Sequence, residues 1–151
     1  MADPATSNDT AVVVRRVLNA PPERVFNAWT DAAQYSRWFN PMQAALVSAD
    51  VDAREGGSFR LTFVGPQKVP FSVKGIYKKV QPNDVLQFTW IWDDEELNVG
   101  ETLVTIELSA IGSQTELVLT HELLPTEEAR TAHAAGWTSL VESLGKYVEG
   151  E

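Results

Sequence analysis

The chain has 151 residues, 44% of them hydrophobic and 22% charged, which suits one globular domain with its own core and excludes a disordered chain. No apolar run approaches the ~18 residues of a membrane-spanning helix, and a chain without cysteine has no disulfide, thiol nucleophile or thiolate metal site, which fits a reducing cytoplasm. A formal net charge of −9 sets the surface against phosphate backbones and anionic lipid heads, excluding nucleic-acid binding and membrane insertion as function classes.

Residues 1–10 (MADPATSNDT) read as a flexible polar tail without the basic-then-apolar pattern of a secretory signal, and residues 11–151 read as one domain. Residues 11–19 (AVVVRRVLN) are rich in β-branched side chains and predict a first strand. Pro21 and Pro22 then suit the first turn of a short helix, where a missing N–H leaves no acceptor unsatisfied, and Val25, Phe26 and Trp29 follow at helical spacing. Asp31 with Gln34 three residues on marks a second short helix, with Tyr35, Trp38 and Phe39 on one face and Asn40-Pro41 as its stop.

The middle of the chain alternates with period two, so each strand buries one face. After an irregular strand over 44–51, the apolar stripes are Phe59, Leu61, Phe63; Phe71, Val73, Gly75, Tyr77; Leu86, Phe88, Trp90, Trp92; Val104, Ile106, Leu108; and Leu117, Leu119, His121, Leu123. Turns are signalled at Gly56-Gly57, Gly65-Pro66, Pro82-Asn83-Asp84, Asp93-Asp94 and Ile111-Gly112-Ser113. The acidic run Asp93, Asp94, Glu95, Glu96 reads as a solvated hairpin loop, since it lacks the spacing of a calcium loop.

Pro125 stops the last strand, Thr126 is the predicted N-cap, and Glu127 and Glu128 suit the first turn of a long helix over 126–149. Trp137, Leu140, Val141, Leu144, Tyr147 and Val148 recur on one face of it. Gly136 interrupts this helix at a cost of about 1 kcal/mol relative to alanine, so its absent side chain permits either close approach to the sheet or room for a ligand.

The order of elements, together with APPERVFNAWTDAAQYSRWF, GGSFRLTF, KGIYKKVQPNDVLQFTWIW, TELVLTHELL and GWTSLVESLGKYV, resembles the START-like (SRPBCC) superfamily, which includes the birch-pollen allergen and polyketide cyclases. Within it the chain is most similar to single-domain relatives of the heat-shock-protein-90 ATPase activator, over residues 12–148. The resemblance implies an α+β helix-grip fold: a curved antiparallel sheet of six or seven strands, two short helices after strand 1, and a long C-terminal helix across the sheet. It implies binding of a small hydrophobic or amphipathic molecule between sheet and helix. Alternatives are a chaperone-associated or stress-response interaction module, and a cyclase- or hydrolase-type enzyme in the same cavity. Partners on these readings are a small hydrophobic ligand, a chaperone, or a second copy of the chain; no cofactor is implied.

The candidate ligand-binding residues are Trp38, Phe39, Phe59, Phe71, Tyr77, Trp90, His121, His133, Trp137 and Leu140. For each aromatic two readings stay open, core packing or the wall of a cavity of ~300–1,000 Å³. His121 falls on an inward register and His133 lies four residues before Trp137, so either is a polar anchor, a proton-transfer group or a hydrogen-bonded structural residue. Tyr77 joins the histidines as acid or base on the enzymatic reading. Two histidines without cysteines or an HExxH pattern do not make a metal site, and GxSxG, GxGxxG and Walker patterns are absent. Arg37 is either a mouth residue for an acidic ligand group or an exposed surface arginine.

Overall fold

The period-two runs become strands and the 3.6-residue runs become helices in the computed structural model, which describes residues 6–7, 11–40, 44–66, 69–94 and 97–150. In chain order the elements are β1 (Thr6–Ser7), β2 (Val12–Leu18), α1 (Pro22–Thr30), α2 (Ala32–Trp38), β3 (Ala45–Val51), β4 (Ser58–Val64), β5 (Pro70–Gln81), β6 (Val85–Asp93), β7 (Thr102–Ile111), β8 (Gln114–Glu122) and α3 (Glu127–Val148). Most of the N-terminal tail, the Pro41 stop and Glu95 and Glu96 of the acidic run lie outside the described residues.

All strands join one antiparallel sheet in the order β1-β2-β8-β7-β6-β5-β4-β3, so seven long strands carry the two-residue β1 at one edge. The curved sheet and the long helix laid across it make the α+β helix-grip fold. Local chemistry sets the helix ends as the sequence predicts. Asp31 accepts from Ala33 N at 3.0 Å to open α2, and Thr126 accepts from Ala129 N at 3.0 Å to open α3. The 22 residues of α3 span roughly 33 Å.

The far end of α3 is fixed to the start of the chain. Arg24 in α1 donates to the carbonyls of Val148 (2.8 Å) and Tyr147 (3.0 Å), satisfying acceptors that the helix end leaves open. Arg16 on β2 reaches over Gly145, where any Cβ would stand 2.7 Å from the guanidinium, and its Nη1 lies 2.5 Å from Glu142 Oε1. That contact is a charge pair by distance, without hydrogen-bond geometry. Glycine at 145 therefore lets an arginine lie against the helix backbone.

The inward stripes form most of the core, and Leu123 departs from them. Leu123, the expected last member of the β8 stripe, takes φ +67 just after the strand ends and is 56% exposed. That left-handed step reverses the alternation, and Leu124 is buried in its place. β6 also deviates: Thr89 is on the outer register yet buried, because its hydroxyl accepts from Ile76 N at 2.8 Å where the β5–β6 ladder is interrupted.

Candidate ligand cavity beneath the long helix

Where α3 crosses the sheet, the bulky side chains of β6 meet Trp137. Trp90 and Trp137 rings are 5.1 Å apart, Trp90 and Trp92 5.5 Å, and Phe39 at the end of α2 closes on Trp137 at 6.2 Å. These rings do not fill the space. They leave a cavity of about 100 Å³ lined by Phe39, Trp90, Trp92, Leu97, Ala132, His133, Gly136, Trp137 and Leu140. It is smaller than the sequence-based expectation because Trp29, Trp38, Phe59, Phe63 and Phe88 pack into the rest of the concave face.

Of the ten candidate residues, Phe39, Trp90, His133, Trp137 and Leu140 are brought together on this wall. Trp38 is buried behind it, donating from Nε1 to Ala28 O at 3.0 Å. Phe59 sits under Gly75, whose Cβ would be 2.6 Å from the phenyl ring. Phe71 is half-buried against Phe63 and Trp92 at the side. Tyr77 lies in another part of the core beside Phe59 and Phe88, and burial pushes its phenol up. His121 is fully buried one layer behind the wall. Trp92, Leu97, Ala132 and Gly136 complete the lining. Trp92 was legible as the next inward position after Trp90; Leu97, in the β6–β7 connection, carries no periodic signal. A Cβ at Gly136 would meet no atom within 4 Å, so the close approach to the sheet is not made there; the glycine is exposed, at the open side of the pocket.

The two histidines are tied to two of the indoles. Trp137 Nε1 donates to His121 Nδ1 at 2.9 Å, while His121 Nε2 lies 2.7 Å from Thr102 Oγ1. Thr102 spends its own proton on Trp90 O at 2.8 Å, so it must accept from His121, which fixes the neutral Nε2–H tautomer. His133 shows the opposite tautomer: Nδ1 donates to Ala129 O at 2.8 Å and Nε2 accepts from Trp92 Nε1 at 3.0 Å. The rings stand edge to face with centroids 4.9 Å apart. Burial lowers both pKa values, with each neutral form locked by its partners; for His121 the nearby His133 lowers it further.

The third indole of the wall is different. Trp90 is 3% exposed, and its Nε1–H has no hydrogen-bond partner among the described residues. Among the described residues no group of three or more His, Asp or Glu is placed to hold a metal ion, and no helix is long and apolar enough to cross a membrane.

A wider groove of about 380 Å³ lies on the outer face of the sheet. Asp50, Arg60, Lys74 and Ile91, which line it, are successive cross-strand neighbours, so it is an open furrow along one row of the sheet. The space beside α3 is the better candidate because helix and sheet both border it and its walls are nearly all apolar.

The family model for Activator of Hsp90 ATPase homolog 1-like proteins matches residues 19–149. Among solved structures, a protein from Chromobacterium violaceum is 26% identical with a TM-score of 0.85, covering 95% of this chain and 100% of its own. The AHSA1 protein from Silicibacter pomeroyi is 25% identical with a TM-score of 0.81, covering 92% and 97%. A protein from Rhodobacter sphaeroides, 24% identical with a TM-score of 0.84 over 99% and 98%, shares the fold. No curated protein matches the chain.

Proposed function

Since the chain belongs to the Activator of Hsp90 ATPase homolog 1-like family, a group of ligand-binding helix-grip domains, we propose that it binds a small, largely aromatic molecule in the cavity beneath α3. The observation that carries this reading is an aromatic-walled space left open beside Gly136. Gly136 is exposed on α3 at the open side of this pocket, so no side chain covers that side. At about 100 Å³ the pocket is smaller than the ~150 Å³ apolar cavity that admits benzene, so it takes at most one ring, part of it at the open side. Affinity would come from apolar burial at about 25 cal/mol per Å², with ring edges and faces of Phe39, Trp92 and Trp137 setting orientation.

An enzymatic reading has less support. Both nitrogens of His121 and both of His133 are already engaged, and Tyr77 is not on the wall, so no side chain there is a free base. Thermal unfolding against a panel of single-ring aromatics, flavonoids, polyketides, sterols and lipids tests the proposal. A ligand at 100 times its dissociation constant adds about 2.7 kcal/mol, a rise of roughly 5–10 °C. The expected result is a rise confined to compounds with a small aromatic ring, together with a change in tryptophan fluorescence. No rise with any member of the panel would overturn it.

A further inference from the structure

Resting on the cavity reading above, we infer that His133 is a positioning residue for the ligand and a pH-operated latch on the pocket. As a neutral ring it holds Trp92 in the wall; as a cation it lets Trp92 go, and the ligand leaves on acidification. Two indole–imidazole hydrogen bonds fasten the pocket to its surroundings. One joins Trp137 of α3 to His121 of β8 and is sealed, since His121 is fully buried. The other joins Trp92, the last inward residue of β6, to His133 of α3, and so ties the sheet wall to the helix wall. The His133 ring is only half-buried, within reach of solvent protons. For Trp92 this is the one hydrogen bond its side chain can make, because an indole has a single donor and no acceptor. The other aromatic rings beside it, Phe71 and Trp90, give its N–H no partner.

His133 serves as the acceptor. Its Nδ1 donates to Ala129 O at 2.8 Å, so in the neutral ring Nε2 keeps the lone pair that receives Trp92 Nε1–H at 3.0 Å. A second proton has only Nε2 to go to. There it sets two N–H groups against each other, the bond is lost, and a cation stands on a wall that otherwise carries no charge. The titratable and charged groups packed around the ring are few. From β8 there is His121, ring to ring at 4.9 Å and bonded at both nitrogens. From β6, Asp93 turns away to Arg60. From the β6–β7 connection, Asp94 accepts from Leu97 N. From α3 itself, Arg130 donates to Leu124 O, and α2 brings the uncharged Phe39 to the same wall. Burial holds the ring below its ordinary value of 6.5, against the opposing pull of the Ala129 carbonyl. Ligand and latch both favour the neutral ring. Affinity is therefore complete above the folded midpoint of His133 and falls about tenfold for each pH unit below it. By linkage, a bound ligand lowers that midpoint in turn.

Acetophenone, a single-ring aromatic that stays neutral throughout, is the probe. It is titrated into protein carrying 15N-labelled tryptophan, while the ring C–H signals of the two histidines are followed against pH. His133→Gln identifies the His133 signal and Trp92→Phe the Trp92 N–H. The expected result is an affinity that is constant near neutral pH and about tenfold weaker one unit below the His133 midpoint. The Trp92 N–H should move upfield with the same midpoint, and saturating acetophenone should shift that midpoint down. In His133→Gln, whose amide oxygen accepts from Trp92 without titrating, affinity should stay near the wild-type value and lose its pH dependence. His133→Ala, which supplies no acceptor, should bind several-fold more weakly at every pH. Should His133→Gln fail to fold, the coincidence of the wild-type midpoints decides. A pH dependence that persists in His133→Gln would assign it to His121 or Asp94 and overturn the inference. So would full affinity in His133→Ala, an unchanged affinity one unit below the His133 midpoint, or unfolding of the chain before His133 titrates. Each of these leaves the cavity reading standing. Absence of acetophenone binding at every pH, with no cavity indole moved, would overturn both.

Discussion

His121 is buried completely and held as a neutral ring by an indole on one nitrogen and a hydroxyl on the other. A second proton on Nδ1 would face the Trp137 N–H and break that bond. Among titratable groups the one facing it is His133, which burial also keeps neutral. The sign of the linkage follows. The unfolded chain takes up protons near the ordinary imidazole value of 6.5, whereas the folded chain does so only at lower pH, so protons favour unfolding. Stability from the pair is complete above that value and is lost as the pH falls below it. His121→Gln keeps an acceptor and a donor but does not titrate. It should lose part of the wild-type fall in melting temperature between about pH 7 and pH 5, measured by circular dichroism. His121→Ala should be destabilised at every pH by about 1–3 kcal/mol or more, since it orphans the Trp137 donor. A pH profile for His121→Gln as steep as that of the wild type would assign the pH dependence to other groups.

At the level of the element, α3 shows a helix compromised at one residue. Gly136 stands in the middle of 22 helical residues, and nothing occupies the position of its absent methyl. Gly136→Ala should therefore raise stability by about 1 kcal/mol, a gain of roughly 2–4 °C in melting temperature, while weakening any ligand that enters beside it. Thermal unfolding measured with and without acetophenone reads both effects at once. Greater stability with undiminished affinity would place the ligand elsewhere. The helix and its faces were legible in the sequence because Thr126, Glu127 and Glu128 announce its start, and Trp137, Leu140, Val141 and Leu144 recur on a single stripe. What periodicity does not encode is the distance between that stripe and the sheet. Trp90 and Trp38 carry the same inward signal, yet one borders open space and the other is sealed against Ala28. The Trp92–His133 pair joins residues 41 apart, a contact made only when α3 is laid on β6. Leu123 was misplaced for a local reason, since one left-handed residue reverses an alternation that composition cannot locate.

Across the whole molecule, charge is the largest unbalanced quantity. There are 21 acidic and 12 basic residues, and the ion pairs found among the described residues are Arg16–Glu142, Arg54–Asp52 and Arg60–Asp93. The Arg54 and Arg60 pairs are about half exposed or more, where such contacts contribute about 0–1 kcal/mol and are weakened by salt. Folding gathers the surplus negative charge onto one compact surface, and its self-repulsion opposes the folded state. Raising NaCl from about 10 mM to about 300 mM shortens the screening length from ~30 Å to ~6 Å, which weakens the long-range repulsion more than a contact at 2.9 Å. The melting temperature at pH 7 should therefore rise by a few degrees over this range. The binding of acetophenone, a neutral molecule in an apolar cavity, should stay nearly constant over the same range. A melting temperature that falls with salt would mean that close pairs such as Arg16–Glu142, the most buried of them, outweigh the surplus of nine charges.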